Sequence, residues 1–187
     1  MDEFAAKLCA KVKALRLGRG IDEGTTQGPL VNSSAVEKTA AHVKDALEKG
    51  ATLLIGGKKP DGLTGYFYEP TVIKGVTSDM EVAKDETFGP LAPIFSFSTE
   101  AEAVALANDT EFGLAGYFFS KDISRVLRVG KQLQCGMIGV NTGLISAAEA
   151  PFGGVKESGI GREGSKYGLA EYQNVKSITI GNTRLRS

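Results

Sequence analysis

Apolar residues recur at helical spacing from Asp2 to Leu15, at Phe4, Leu8, Val12 and Leu15, and Gly18 and Gly20 end the run. A Gly-rich loop, GRGIDEGTTQGPL, follows. Val36, Ala40, Val43 and Leu47 then predict a second helix running to Lys49. Ser34-x-x-Glu37 reads as its capping box, and Gly50 as the left-handed residue that closes it. Beyond Gly50 the pattern shortens into strand-like apolar runs. These are Ala51–Ile55, Tyr66–Tyr68 and Thr71–Ile73 on either side of Pro70, and Leu91–Phe97. Thr99-x-x-Glu102 caps a helix to Asn108. Ala115–Phe119 predicts a strand, Asp122–Leu133 a helix with Ile123, Val126, Val129 and Leu133 inward, and Met137–Val140 a further strand. This alternation predicts an α/β fold whose largely parallel sheet is flanked by helices. Ligands of such sheets bind beyond the carboxyl ends of the strands, so the loop opening Asn141-Thr142-Gly143 is a site candidate. Val175–Ile180 alternates like a half-buried strand and stands apart from the alternating core.

Composition narrows the function classes. Lys+Arg and Asp+Glu number 22 each, with no basic block, so the electrostatic footprint of a nucleic-acid binder is missing. No apolar run is long enough to span a bilayer, and MDEFAAKLCAKVKAL is amphipathic rather than a secretory signal. Cys9 and Cys135 are the only cysteines, which fits a reducing compartment and excludes a disulfide framework. The single histidine, His42, reads as a surface helix residue. With no Cys/His cluster around it, no metal site is expected.

Three stretches could carry chemistry. KDETFGP, Lys84–Pro90, places two carboxylates before a Gly-Pro turn and the apolar run Leu91–Phe95. Taken alone it reads as a solvated acidic turn leading into a strand. Gly159-Ile160-Gly161-Arg162-Glu163-Gly164 matches G-x-G-x-x-G, but it lacks the preceding strand and the later acidic residue of a dinucleotide fingerprint. Cys135 lies at the end of a helix pattern, where the dipole disfavours a thiolate. It and Cys9 read as packed thiols, so no catalytic residue is assigned.

The ordered motifs change the weight of these readings. DETFGP, then ANDTEFGLAG, GMIGVNTG and PFGGVKESGIGREGSKYG, together with QGPL and YQNVKSITI, resemble the C-terminal half of the aldehyde dehydrogenase superfamily over essentially the whole chain. NTGLIS followed by APFGG and GREGSKYG is most similar to the succinate-semialdehyde dehydrogenases. The resemblance implies that Glu86 accepts hydrogen bonds from the nicotinamide-ribose hydroxyls of NAD or NADP, and that Phe88 packs beside the nicotinamide. It implies that Phe152 walls the aldehyde pocket. Ser146 is either a contact for the substrate carboxylate or a simple turn hydroxyl. The glycines of PFGG and SGIGREG are expected to let backbone segments cross closely beneath the site.

In the resembled family a cysteine attacks the aldehyde, hydride passes to NAD(P)+, and a glutamate-activated water releases the acid. Those groups lie before the segment resembling DEFAAKL, so this chain is expected to be an incomplete catalytic domain, inactive alone. Residues 1–174 are expected to form that portion and 175–187 an oligomerisation strand and tail, in a homo-oligomer. The expected substrate is a small aldehyde, foremost succinate semialdehyde, in the cytoplasm or a mitochondrial matrix. The alternatives are an aldehyde dehydrogenase of different specificity, or a non-catalytic remnant serving as an oligomerisation or binding module.

Overall fold

The computed structural model describes residues 1–182, which pack as two compact units, Met1–Phe97 and a second beginning at Ser98. In the first unit, helices α1 (Asp2–Lys13) and α2 (Ser33–Glu48) accompany strands β1 (Thr52–Ile55), β2 (Thr71–Lys74) and β3 (Leu91–Ile94). The sheet order is β1-β2-β3, with β1 antiparallel and β3 parallel to the central strand. Alternate residues of β2 face opposite sides, and both sides are covered. Val72 packs with Ala5, Leu8 and Val12 of α1, while Ile73 packs with Ala46 of α2, Val76 and Met80. Three members of the predicted apolar stripe of α2 pack inward: Val36 and Val43 are buried with Tyr68, and Ala40 packs against them, while Leu47 is exposed. Full burial of such side chains contributes about 1.5–3 kcal/mol each.

Local chemistry explains where elements begin and end. The N-cap of α2 is Asn32, whose Oδ1 accepts from the Ala35 amide at 2.9 Å. Ser34 therefore lies inside the first turn, and the predicted Ser34–Glu37 box does not form. Gly50, at φ 97°, closes the helix as expected, with the Ala51 amide donating back to Ala46 O at 2.9 Å. Tyr66–Tyr68 is not a strand, because its carbonyls serve the QGPL loop. Tyr66 O accepts from the Leu30 amide, and Tyr68 O from the Gln27 side chain. On β3, Leu91 donates its amide to Gly89 O at 2.8 Å, and Pro93, opposite Ile73, has no amide to donate.

The second unit contains α3 (Glu100–Asn108), β4 (Phe112–Gly113), β5 (Ala115–Phe118), α4 (Ile123–Gln132), β6 (Met137–Val140) and β7 (Val155–Lys156). β5 and β6 are parallel neighbours joined through α4, the expected βαβ unit, while β4 and β7 form a short antiparallel pair. Thr99 caps α3 as predicted, and Asp122, expected as the first residue of α4, is its cap. Glu100 bridges the two helices by accepting from Arg128 at 2.6 Å and Arg125 at 3.0 Å. The Arg128 hydrogen bond is the main reason its carboxyl pKa falls to about 2.

Two expectations are corrected. The strands form mixed and separate small sheets rather than one largely parallel sheet, because β1 and the β4–β7 pair run antiparallel. Ile123, predicted inward, is 68% exposed as the first residue of α4, and Val129 is the buried member of that stripe. Val175–Ile180 forms no strand among the described residues, and Val175, Ile178 and Ile180 are exposed. The rest of the expected tail, 183–187, lies outside the described residues.

Candidate functional site

In the first unit, KDETFGP follows a single 3-10 turn, Glu81–Ala83, and has no regular structure of its own. Side chains of α2 hold it. Helical spacing puts Lys38, His42, Asp45 and Lys49 on one stripe beside the apolar one. The Glu81 amide donates to Asp45 Oδ2 at 2.8 Å, and Lys49 Nζ donates to Asp79 O at 2.8 Å. Lys38 Nζ donates to Asp85 Oδ1 at 2.8 Å, and His42 Nδ1 lies 2.6 Å from Thr87 Oγ1. The other ring nitrogen, Nε2, is 3.6 Å from Asp85 Oδ2. Fully buried Thr39 lies directly under Gly89, where an added Cβ would overlap the threonine hydroxyl. Glycine is required at position 89 by this close approach.

Two sequence readings are revised here. His42 is not a surface residue but only 3% exposed, its ring turned onto the loop. Asp85 is exposed, as expected of a solvated carboxylate, yet it is ion-paired. The Lys38 hydrogen bond is the first cause holding its carboxyl below the ordinary carboxylate range.

Glu86 is exposed, and among the described residues its carboxylate takes part in no ion pair or hydrogen bond. Phe88, two positions on, is 80% exposed. A carboxylate with both oxygens open, on a loop fixed at its flanks, is suited to accepting from two vicinal hydroxyls, and an adjacent bare ring to packing on a planar heterocycle. Glu86 and Phe88 are thus the residues that could hold part of a dinucleotide.

In the second unit, Phe152 exchanges backbone hydrogen bonds with Glu163 and lines an open cavity of about 740 Å3. Leu114, Gly161, Arg162 and Tyr172 also face it. Ser146 is exposed on the preceding loop and is not among the cavity's lining residues. Ser146 and Phe152 therefore do not both line this cavity. A Cβ on Gly153 would come within 2.6 Å of Gly161 O, the expected close crossing of the two glycine segments. Arg162 Nη1 donates to Gly154 O and Gly161 O, so the G-x-G-x-x-G stretch folds back on PFGG and opens no helix of phosphate-binding length.

The remaining candidates have structural roles. Asn141, at φ 57°, accepts from the Ser120 amide and donates to Ser120 O, prolonging the β5–β6 pairing through a side chain. Cys135 is half-buried, and burial pushes its thiol up, against a smaller opposing effect of Lys156. Cys9 packs on the α1 cluster. No group of three or more His, Cys, Asp or Glu placed to hold a metal occurs among the described residues, and no described helix is long and apolar enough to cross a membrane.

Sequence reasoning missed His42, Thr87, Lys38 and Thr39. For Lys38 and His42 the signal was the second helical stripe of α2, which its polarity disguised as a solvated face.

Comparison with known proteins supplies the context. Residues 1–178 match the model of the aldehyde dehydrogenase family. The chain is 56% identical over 180 residues to 3-sulfolactaldehyde dehydrogenase of Pseudomonas putida, covering 96% of this chain and 37% of that protein. It is 55% identical over 181 residues to mitochondrial succinate-semialdehyde dehydrogenase of Rattus norvegicus, covering 96% of this chain and 34% of that protein. The crystal structure of succinate-semialdehyde dehydrogenase from Burkholderia pseudomallei superposes with a TM-score of 0.89 at 60% identity, over 91% of this chain and 35% of that one. The chain thus spans little more than a third of the length of these relatives.

Proposed function

Because the chain belongs to the aldehyde dehydrogenase family, we propose that it supplies the nicotinamide-ribose clamp and part of the aldehyde pocket of an NAD(P)-dependent dehydrogenase. The overall reaction takes an aldehyde, water and NAD(P)+ to a carboxylic acid, NAD(P)H and protons. The dinucleotide, when bound, supplies the hydride acceptor. Glu86 accepts hydrogen bonds from both ribose hydroxyls, and Phe88 limits where the nicotinamide can sit. Phe152 walls the aldehyde pocket, and Ser146 donates its hydroxyl to the far end of the substrate.

The favoured substrate is succinate semialdehyde. The two relatives named above act on aldehydes that carry an anionic group, a sulfonate in one and a carboxylate in the other. An anion at the far end of the substrate suits a hydroxyl donor at position 146. The Val175–Ile180 segment is proposed as the strand through which protomers associate, its apolar side chains being exposed within one chain. Alone, the 187-residue chain turns over no aldehyde: burial raises the Cys135 thiol, and Cys9 packs in a core cluster.

One observation carries this reading: the Glu86 carboxylate, unpartnered among the described residues, on a loop fixed at both flanks, with Phe88 bare beside it. Glu86→Gln in the whole dehydrogenase keeps the shape and removes the charge. Loss of charge-assisted hydrogen bonds is expected to cost about 1.5–3 kcal/mol in kcat/KM for the dinucleotide. Unchanged kcat and dinucleotide KM would rule the clamp out.

A further inference from the structure

We propose that His42 is a positioning residue for Glu86, holding the cofactor loop through the two residues that flank the clamp. The proposal rests on the reading of Glu86 as the ribose contact. Its structural half is independent of that reading.

One buried imidazole reaches both neighbours of Glu86. Nδ1 lies 2.6 Å from Thr87 Oγ1, and Nε2 lies 3.6 Å from Asp85 Oδ2. Lys38 fixes the other oxygen of Asp85 at 2.8 Å, and the Asp85 amide donates to Glu81 O at 2.9 Å. The Glu81 amide in turn is held by Asp45. Lys38, His42 and Asp45 all project from α2, whose apolar stripe is locked by Val36 and Val43 in the core. A chain of contacts therefore runs from the core, through α2 and the imidazole, to both sides of Glu86.

The side chain between these anchors is left free. Asp85 and Thr87 are turned onto the helix, while Glu86 lies exposed between them. In an irregular segment, adjacent side chains share no fixed direction unless something imposes it. Here Thr87 is bonded to the ring, and Asp85 is bonded to Lys38 with the ring 3.6 Å away, so the direction of Glu86 is set by groups that never touch its carboxylate. A ribose clamp needs this: misplacement of a positioning group by about 1 Å is enough to cost rate. A buried histidine serving only as core packing would not need its two nitrogens aimed at residues 85 and 87.

The experiment uses two measurements on the same variants, His42→Ala and Thr87→Val, with Thr87→Ser as the conservative control. Hydrogen exchange on the 187-residue chain reads the loop without any cofactor. The Asp85 amide, which donates to Glu81 O, is expected to exchange about tenfold faster in both disruptive variants, while the amides of β2 and β3 keep their protection. Kinetics in the whole dehydrogenase reads the consequence. The dinucleotide KM is expected to rise about five- to tenfold, the loss of one hydrogen bond, with the aldehyde KM changed less than about twofold. Thr87→Ser restores both readouts. Unchanged exchange at the Asp85 amide overturns the proposal, as does an equal rise in exchange across β2 and β3, which would mark His42 as general packing. If His42→Ala does not fold, Thr87→Val probes the same bond from the half-buried loop side. A silent dinucleotide KM in the His42 and Thr87 variants, with Glu86→Gln still impaired, overturns the proposal alone. Silence in all of them removes the ribose clamp and the proposal together.

Discussion

Residues 84–90 and residues 142–151 both lack regular secondary structure, yet they are held in different ways. The first segment is gripped by side chains of a helix more than 35 residues earlier in the chain: Lys38 on Asp85, His42 on Thr87, Thr39 under Gly89. The second is held mainly by short-range bonds. Leu144 donates to Thr142 Oγ1 and Ala150 to Ala147 O, with one longer tie from the Ser165 amide to Ala148 O. Most of its side chains, Leu144 and Ser146 among them, are exposed. On the proposed roles, the contrast follows the ligands. A ribose presents the same two hydroxyls in every turnover and rewards a fixed partner, whereas an aldehyde pocket is defined by side chains on a loop that can be revised without disturbing a core.

The sharpest way to break this comparison is at Gly89. Gly89→Ala drives a methyl into fully buried Thr39, and overpacking of this kind is expected to cost about 1–3 kcal/mol in urea unfolding. Thr39→Ala in the same chain should recover part of that loss, since residues in contact do not add independently. A wild-type midpoint for Gly89→Ala would show that the loop is less firmly seated than the structure has it. The next effect is on assembly rather than folding. Sedimentation of the chain with and without residues 175–187 should show self-association only when Val175, Ile178 and Ile180 are present; identical monomers would remove the proposed strand role. The smallest effect belongs to the aldehyde-side loop. Leu144→Ser, at a side chain that is 88% exposed, should shift stability by no more than about 0.5 kcal/mol. A larger loss would mean that this loop too is anchored.

What the sequence made legible divides along similar lines. Elements specified by their own residues were readable: the Thr99 cap, the Gly50 closure, the β5–α4–β6 unit. Errors arose where a competitor lay nearby or far away. Asn32 captured the helix start two residues before the Ser34 box, because a side-chain carbonyl there already reached the Ala35 amide. Tyr66–Tyr68 lost its strand character to partners at Gln27 and Leu30, some forty residues distant. The antiparallel course of β1 is a property of chain connectivity that apolar periodicity does not encode. At the candidate site, Glu86 and Phe88 were visible only through resemblance, and His42 not at all. A polar residue on a helix looks solvated until the loop that covers it is known.

The edge of β3 carries a consequence for how copies of this chain meet. Carbonyls of Pro90 and Ile94 accept from Thr71 and Val76, so the even-numbered positions face β2 and the odd-numbered ones face outward. Of the outward donors, the Leu91 amide is already bonded to Gly89 O, and Pro93 has none. That border therefore offers acceptors at 91 and 93 with no matching donors. Two identical borders brought together there would set carbonyl against carbonyl, so β3 discourages its own duplication while remaining open to a strand of different donor pattern.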